Sequence, residues 1–198
     1  MKESIQRCPW ANSGDIYITY HDMEWGVPVS NDRILFEFLI LESAQAGLSW
    51  ITILKKRDNY RDVYEGFDPE NVASFDELKI KKLLEDPGIV RNKLKVRSSV
   101  NNARCFLKIQ EEFGSFSDYL WSFTGNTPVV NAWGNLDQVP ARTELSDRIS
   151  KDMKKRGLSF VGSTIVYSFL QAVGVVNDHL TSCFRYQEII VQYNSRSK

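Results

Sequence analysis

Histidine and cysteine are scarce in this 198-residue chain: two of the first, His21 and His179, and three of the second, Cys8, Cys105 and Cys183. An odd cysteine count without an export signal argues against a disulfide framework. Met1 to Arg7 lacks the apolar core of a signal peptide, and no apolar run is long enough to span a bilayer. The expectation is a soluble, cytoplasmic protein with no membrane partner. Surplus charge is missing too. Twenty-five basic residues balance 25 acidic ones, so a general attraction to nucleic acid is excluded and any such contact must come from a local patch. Repeats, low-complexity tracts and interior linkers are absent, so residues 1–198 read as one unit.

Strand alternation is also lacking, and capped amphipathic segments follow one another instead, which predicts an all-α fold. Ser30 or Asn31 caps a first long helix that runs through Leu35, Phe38, Leu39 and Glu42. Ser49 suits the cap of the next, Asp68-Pro69 and Phe75-Asp76 start two more, and Thr143 and Ser163 cap later ones. Ser117 to Phe123 reads as a short helix. Glycine stops are expected at Gly125, Gly157 and Gly174, a long loop over Thr127 to Arg142, and fraying beyond Tyr186.

Three features carry chemistry. Glu42 follows Leu35, Phe38 and Leu39 at the i, i+3, i+4, i+7 spacing, which sets a carboxylate on the face turned to the core. Periodicity alone favours the plainer reading, that Glu42 sits at the stripe's edge and reaches solvent. Gly47 suits the left-handed position after the helix end, so two helices meet at Gly47-Leu48. Leu48 at that tip is either a hydrophobic cap contact or a group free to insert elsewhere. Second, Cys8 and His21 form a C-x12-H pair and His179 and Cys183 an H-x3-C pair, the latter sharing a face if helical. Two thiolates and two imidazoles would complete a tetrahedral zinc site, although spacing alone favours small buried cysteines and ordinary histidines. Third, Asp86 to Lys93 separates two helices like a hairpin, with Gly88 where backbone could approach a phosphate and with Arg91, Lys93 and Lys95 nearby. Val90 stands where such hairpins usually carry a second glycine. Lys55-Lys56-Arg57 is either a solvated face or a phosphate contact. Trp10, Tyr17, Tyr20 and Trp25 cluster near the first pair of possible ligands and read as core or as a pocket wall.

Several of these stretches together resemble the 3-methyladenine DNA glycosylase I family: Tyr20-His21-Asp22-x-Glu24-Trp25-Gly26-Val27-Pro28, Leu41-Glu42 through Ala46-Gly47-Leu48-Ser49-Trp50, and Lys55-Lys56-Arg57. The resemblance continues through Gly88-Ile89-Val90-Arg91 and Lys154-Lys155-Arg156-Gly157-x-x-Phe160-Val161-Gly162 to Val176-Asn177-Asp178-His179, so it covers nearly the whole chain. It implies a helix-hairpin-helix fold made as a single catalytic unit. The helical body spans 30–160 with its hairpin near 86–93, and the segments 1–29 and 161–198 are tied together by one structural Zn2+ at Cys8, His21, His179 and Cys183.

The implied activity is DNA repair: a monomer flips cationic 3-methyladenine out of double-stranded alkylated DNA and hydrolyses its bond to the sugar, giving the free base and an abasic site. Glu42 would meet the amino edge of the base. Tyr20 and Trp50 would stack on it, with Trp10 and Tyr17 beside them. Leu48, next to Gly47, would fill the gap in the duplex, and Gly88, Arg91 and Lys93 would hold the backbone. The family is unlike related hairpin glycosylases in lacking a catalytic aspartate, so neither Asp147 nor Asp152 takes that part. Ala44 stands where the family often has a longer polar side chain. Two other classes fit parts of the sequence: a noncatalytic zinc-stapled DNA-binding module, which would not need Glu42, and a reader of small cationic ligands, which would not need Leu48 or Gly88 to Arg91.

Overall fold

The computed structural model describes residues 5–196, the side chains of 194–196 excepted. The chain is mostly helical: α1 (Asp15–Met23), α2 (Asp32–Gln45), α3 (Trp50–Leu54), α4 (Arg57–Val63), α5 (Pro69–Ala73), α6 (Glu77–Glu85), α7 (Lys93–Phe113), α8 (Phe116–Ser122), α9 (Glu144–Lys155), α10 (Ser163–Ala172) and α11 (Phe184–Arg196). Helices start where a side chain can replace the missing carbonyl partner of the first amides. Asn31 accepts from Ile34, Asp68 from Glu70 and Asn71, Asp76 from Lys79, and Thr143 from Ser146. Each such cap stabilises its helix by about 1 kcal/mol.

Four local expectations change. Ser49 occupies the cap position of α3, but its hydroxyl pairs with Thr52 Oγ1 at 2.8 Å instead of an amide. Ser163 is the first helical residue of α10, with Gly162 at the cap, and its hydroxyl meets Ser146 Oγ at 2.8 Å. The segment beyond Tyr186 is not frayed: α11 continues through Arg196, because Ile189 is buried and gives the helix an inward face. Finally, the long loop contains β1 (Val129–Val130), which pairs in parallel with β2 (Val176–Asn177) in the register Val129 to Val176 and Val130 to Asn177. Two-residue strands are too short to leave an alternation in sequence.

α2 is the central element, packed against α3, α7, α8 and α10, and every residue from Leu35 to Ala44 is buried. Across α2, α7 and α8, Phe36 packs edge-on against Phe106 at 5.1 Å and Phe106 stacks on Phe116 at 4.2 Å. At the N-terminus of α2, Asp32 accepts from the Phe116 and Ser117 amides, both at 2.8 Å, and from Gln110 Nε2 at 2.6 Å. One carboxylate thus fixes α2 against the positive end of α8.

The segment after α1 lies against the end of α10, where Gly26 N donates to Gln171 O and Val29 N to Val173 O. Gly174 makes this approach possible. Its φ is +71°, and a Cβ there would stand 2.4 Å from Pro28 N and from the Val27 carbonyl carbon. Backbone cannot yield as a flexible side chain would. Gly174→Ala is therefore expected to cost more than about 3 kcal/mol, by overpacking and left-handed strain together; urea denaturation measures it, and a loss under 1 kcal/mol on that ~3 kcal/mol scale would contradict the packing described.

Candidate active site and metal cluster

Cys8, His21, His179 and Cys183 converge although they are far apart in sequence. Their ligand atoms all lie within 4.8 Å of one another and all four residues are buried. Cys183 Sγ is 3.4 Å from His21 Nε2 and 3.5 Å from His179 Nδ1, and Cys8 Sγ is 3.7 Å from His179 Nδ1. The outer ring nitrogens are engaged elsewhere: His21 Nδ1 meets Asp22 Oδ1 at 2.8 Å, and His179 Nε2 meets the Trp25 carbonyl at 3.0 Å. Arg7 holds Asp22 in turn. Both imidazoles are thereby oriented with a free nitrogen inward, the arrangement that metal-binding histidines adopt. The hydrogen bond from the Cys8 thiol, above all, holds the Cys183 thiol below its ordinary range. The donor set fits a metal ion. His179 and Cys183 lie in the turn before α11 and not on a helix, and that turn closes through Cys183 N to Leu180 O.

Beside this cluster is a cavity of about 380 Å³, lined by Trp10, Tyr17, Tyr20, Trp25, Glu42 and Trp50 on one side and by Leu136, Val139, Gln171 and Asp178 on the other. The aromatic cluster of the N-terminal segment is thus a pocket wall. Trp10 packs edge-on against Tyr17 and Trp25, at 5.7 and 5.0 Å, and Tyr17 hydroxyl accepts from the Ile51 amide at the start of α3. Tyr20 and Trp50 are 5.6 Å apart and tilted by 52°, which leaves no room for a ring between them. The half-buried faces of Trp10, Tyr17 and Trp50 are the surfaces on which a flat ligand can stack.

Glu42 is 3% exposed, so the plainer reading, a carboxylate reaching solvent from the edge of the stripe, is wrong. α2 is buried all round at this turn. Among the described residues Glu42 has no hydrogen bond and no ion pair, and desolvation pushes its carboxyl up to about 8. Trp50 Nε1 is buried too, close to the Tyr20 hydroxyl and otherwise without an acceptor. Glu42 is thus the unpaired group of this pocket wall, and an unmade hydrogen bond in such a place costs roughly 1–3 kcal/mol.

Asp178 is the opposite case, and sequence reading gave it no role. It is 2% exposed, yet its Oδ1 accepts from Asn131 Nδ2 and Trp133 Nε1, both at 2.7 Å, and its Oδ2 accepts from Gln171 Nε2 at 2.7 Å and from the Tyr167 hydroxyl. Four donors satisfy the carboxylate. It shapes the wall by tying the loop after β1 to α10, and has no capacity left to read a ligand. Its neighbour His179 is the sequence signal that could have drawn attention to it. Asp147 and Asp152 lie elsewhere, paired with Arg142 and with Arg156 and Tyr119.

Gly47 has φ +79° as expected, and Leu48 beside it is 40% exposed at the tip. Arg91, in the segment between α6 and α7, and Lys93, the first residue of α7, are exposed. At Gly88 a Cβ would meet Asn59 Nδ2 at 2.2 Å, so that side chain would have to turn aside. Its amide donates to Asp86 Oδ1 at 2.6 Å, and the Val90 amide to Tyr60 hydroxyl at 3.0 Å. The basic run divides. Lys55 is exposed, Lys56 Nζ donates to Pro87 O, and Arg57 is buried on Glu37 and Glu24 over the Phe38 ring. Arg57 is thus a structural cation.

A family profile described as methyladenine glycosylase matches residues 10–186. DNA-3-methyladenine glycosylase 1 of Escherichia coli (strain K12) is 46% identical over 182 residues, which span 92% of this chain and 97% of that protein. A solved structure of 3-methyladenine DNA glycosylase I superposes with a TM-score of 0.88 at 48% identity, covering 90% of this chain and 98% of the other. A second, concerned with 3-methyladenine recognition by the enzyme from Staphylococcus aureus, gives a TM-score of 0.87 at 37% identity over 90% of this chain and 95% of that one.

Glu42 makes stability depend on pH in a definite direction. Its carboxyl titrates near 8 in the folded protein, against an ordinary value of 4.5, so between those pH values the folded state binds the extra proton. Stability should fall as pH rises through that window, by roughly 5 kcal/mol from this group alone. Glu42→Gln removes the titration. Urea melts of the unliganded proteins should show the variant gaining on the wild type from pH 5 to 8 and levelling above; a pH-independent difference would refute the assignment.

Proposed function

The chain belongs to the methyladenine glycosylase family, and from that membership we propose that it is a DNA repair enzyme that excises N3-methylated adenine from alkylated double-stranded DNA. The observation that carries the reading is Glu42, a buried carboxylate without a partner in an aromatic pocket. A cationic purine supplies what that carboxylate lacks. Facing the cation, Glu42 gives up its proton and accepts from the amino edge of the base, while neutral adenine would leave it protonated or unpaired. Trp10, Tyr17 and Trp50 offer ring faces to the positive charge, worth up to about 2 kcal/mol when desolvated. Tyr20 supports them from behind. An oxygen in place of the amino group would meet the carboxylate with repulsion.

The bond to the sugar is already weak, because the methylated base departs neutral. Positioning and exclusion of water then suffice, with water as the nucleophile, and the products are the free base and an abasic site. No lysine lines the cavity among the described residues, and Lys56 is engaged at Pro87, which argues for a monofunctional hydrolase over an amine nucleophile. To reach the pocket the base leaves the duplex. Leu48, raised on the Gly47 turn, is placed to fill the gap, and Arg91 and Lys93 to hold phosphates, with the 86–93 hairpin acting through side chains because the Gly88 and Val90 amides are engaged.

The cluster of Cys8, His21, His179 and Cys183 would hold one Zn2+ with no open position, which fits a structural ion that joins residues 1–29 to 161–198 around the 30–160 body. The ion contributes stability when bound and takes no part in the chemistry. We place the enzyme in the cytoplasm as a monomer of one catalytic unit. A noncatalytic zinc-stapled DNA-binding module leaves the unpaired Glu42 without a purpose.

Incubation with methylated DNA and chromatography of the released bases tests the activity. Free 3-methyladenine should appear, and about thirtyfold less from Glu42→Gln, the factor for losing one charge-assisted hydrogen bond of ~2 kcal/mol. Absence of the free base, or a covalent DNA adduct trapped by borohydride, would refute the mechanism. For the metal, Cys183→Ser should lose bound zinc and melt at a lower temperature than the wild type; an unchanged zinc content would dismiss the four-ligand assignment.

A further inference from the structure

Lys95 stands in the first turn of α7, where the positive end of the helix and the neighbouring Arg91 and Lys93 all disfavour a cation. Its own helix does not explain it. Its ammonium group crosses to the other end of another helix, donating to Ala44 O at 2.8 Å and Ala46 O at 2.6 Å, the last carbonyls of α2. No carboxylate pairs with Lys95 among the described residues, so the negative end of α2 is its counter-charge.

What these carbonyls carry is the tip turn. Leu48 N donates to Gln45 O at 2.6 Å and Gln45 Nε2 returns to Leu48 O at 3.2 Å, so the turn is closed on itself. Being closed, it is held to the rest of the protein through the end of α2. A reciprocal bond runs the other way: Lys56, two residues beyond α3, donates to Pro87 O in the segment between α6 and α7. The tip side and the hairpin side thus each place a lysine on the other's backbone.

We propose that Lys95 is a positioning residue for excision from duplex DNA: it holds the Leu48 turn at a fixed offset from the 86–93 hairpin, so that the backbone grip and the inserted side chain act in one register. This rests on the reading of Leu48 as the group that fills the gap. The base pocket itself does not depend on it, since Glu42 and Trp50 are held by the packing of α2 and α3.

Single-turnover excision from a duplex with one 3-methyladenine, measured for Lys95→Met, Leu48→Ala and the double variant, tests the idea, with titration of free 3-methyladenine alongside. Lys95→Met should slow duplex excision by between about tenfold and a hundredfold, the scale for a misplaced reacting geometry. It should change free-base affinity by less than about twofold and add little in the Leu48→Ala background, as coupled sites do. Rates that multiply in the double variant, an unaltered rate for Lys95→Met, or an equal loss of free-base affinity would overturn the proposal. Should the Met variant fail to fold, Lys95→Gln, which keeps a donor, goes through the same cycle with the same criteria. A silent Leu48→Ala would instead remove the underlying reading of Leu48, and with it the route assigned to Lys95.

Discussion

A carboxylate buried without a partner is an unfavourable thing to fold around, and Glu42 is placed in the last turn of the central helix α2. Its burial follows from the packing of α3, α7, α8 and α10 on every side of α2. The aromatic wall completes it: burial, and next the charge of Glu42, push the Tyr20 phenol up, so that group stays protonated against it. Stability given up at this position is available as binding energy to any cation that enters, which is why the rest of the protein has to be well satisfied elsewhere.

That contrast is sharpest between two carboxylates on the same cavity. Asp178 has four donors and serves the wall, whereas Glu42 has none and faces what the wall encloses. Burial alone does not separate them, since both are nearly inaccessible. Counting lone pairs does. The same accounting removes Asp152, Asp147 and Arg57 from the site, each of which is already paired.

Much of the helical plan was legible because caps and glycine stops act locally: Asn31, Asp68, Asp76 and Thr143 need only their own next turn. The Ser163 cap and the frayed tail failed because the preferences that decided them, Ser146 for one and a buried Ile189 for the other, lie outside the local segment. The four Cys and His positions could be named, but their convergence could not be derived from spacing, since nothing in a C-x12-H pair says where an H-x3-C pair will fall. Gly88 was chosen for a backbone approach to phosphate, and the structure adds a contact the sequence did not suggest: a Cβ there would meet the Asn59 side chain. Asp178 was invisible because its four donors, Asn131, Trp133, Tyr167 and Gln171, all lie on other elements.

The joining of Cys8 to His179 across 171 residues also bears on the order of assembly. Closing a loop of that size costs about 4.5 kcal/mol of chain entropy beyond the constant term, and nothing local offsets it until both ends are present. Helices α2 to α9 can pack earlier from nearer contacts. The pocket lined by Trp10, Tyr17 and Trp25, however, also needs Gln171 and Asp178, so a chain leaving the ribosome cannot complete it until α10 and Asp178 have emerged.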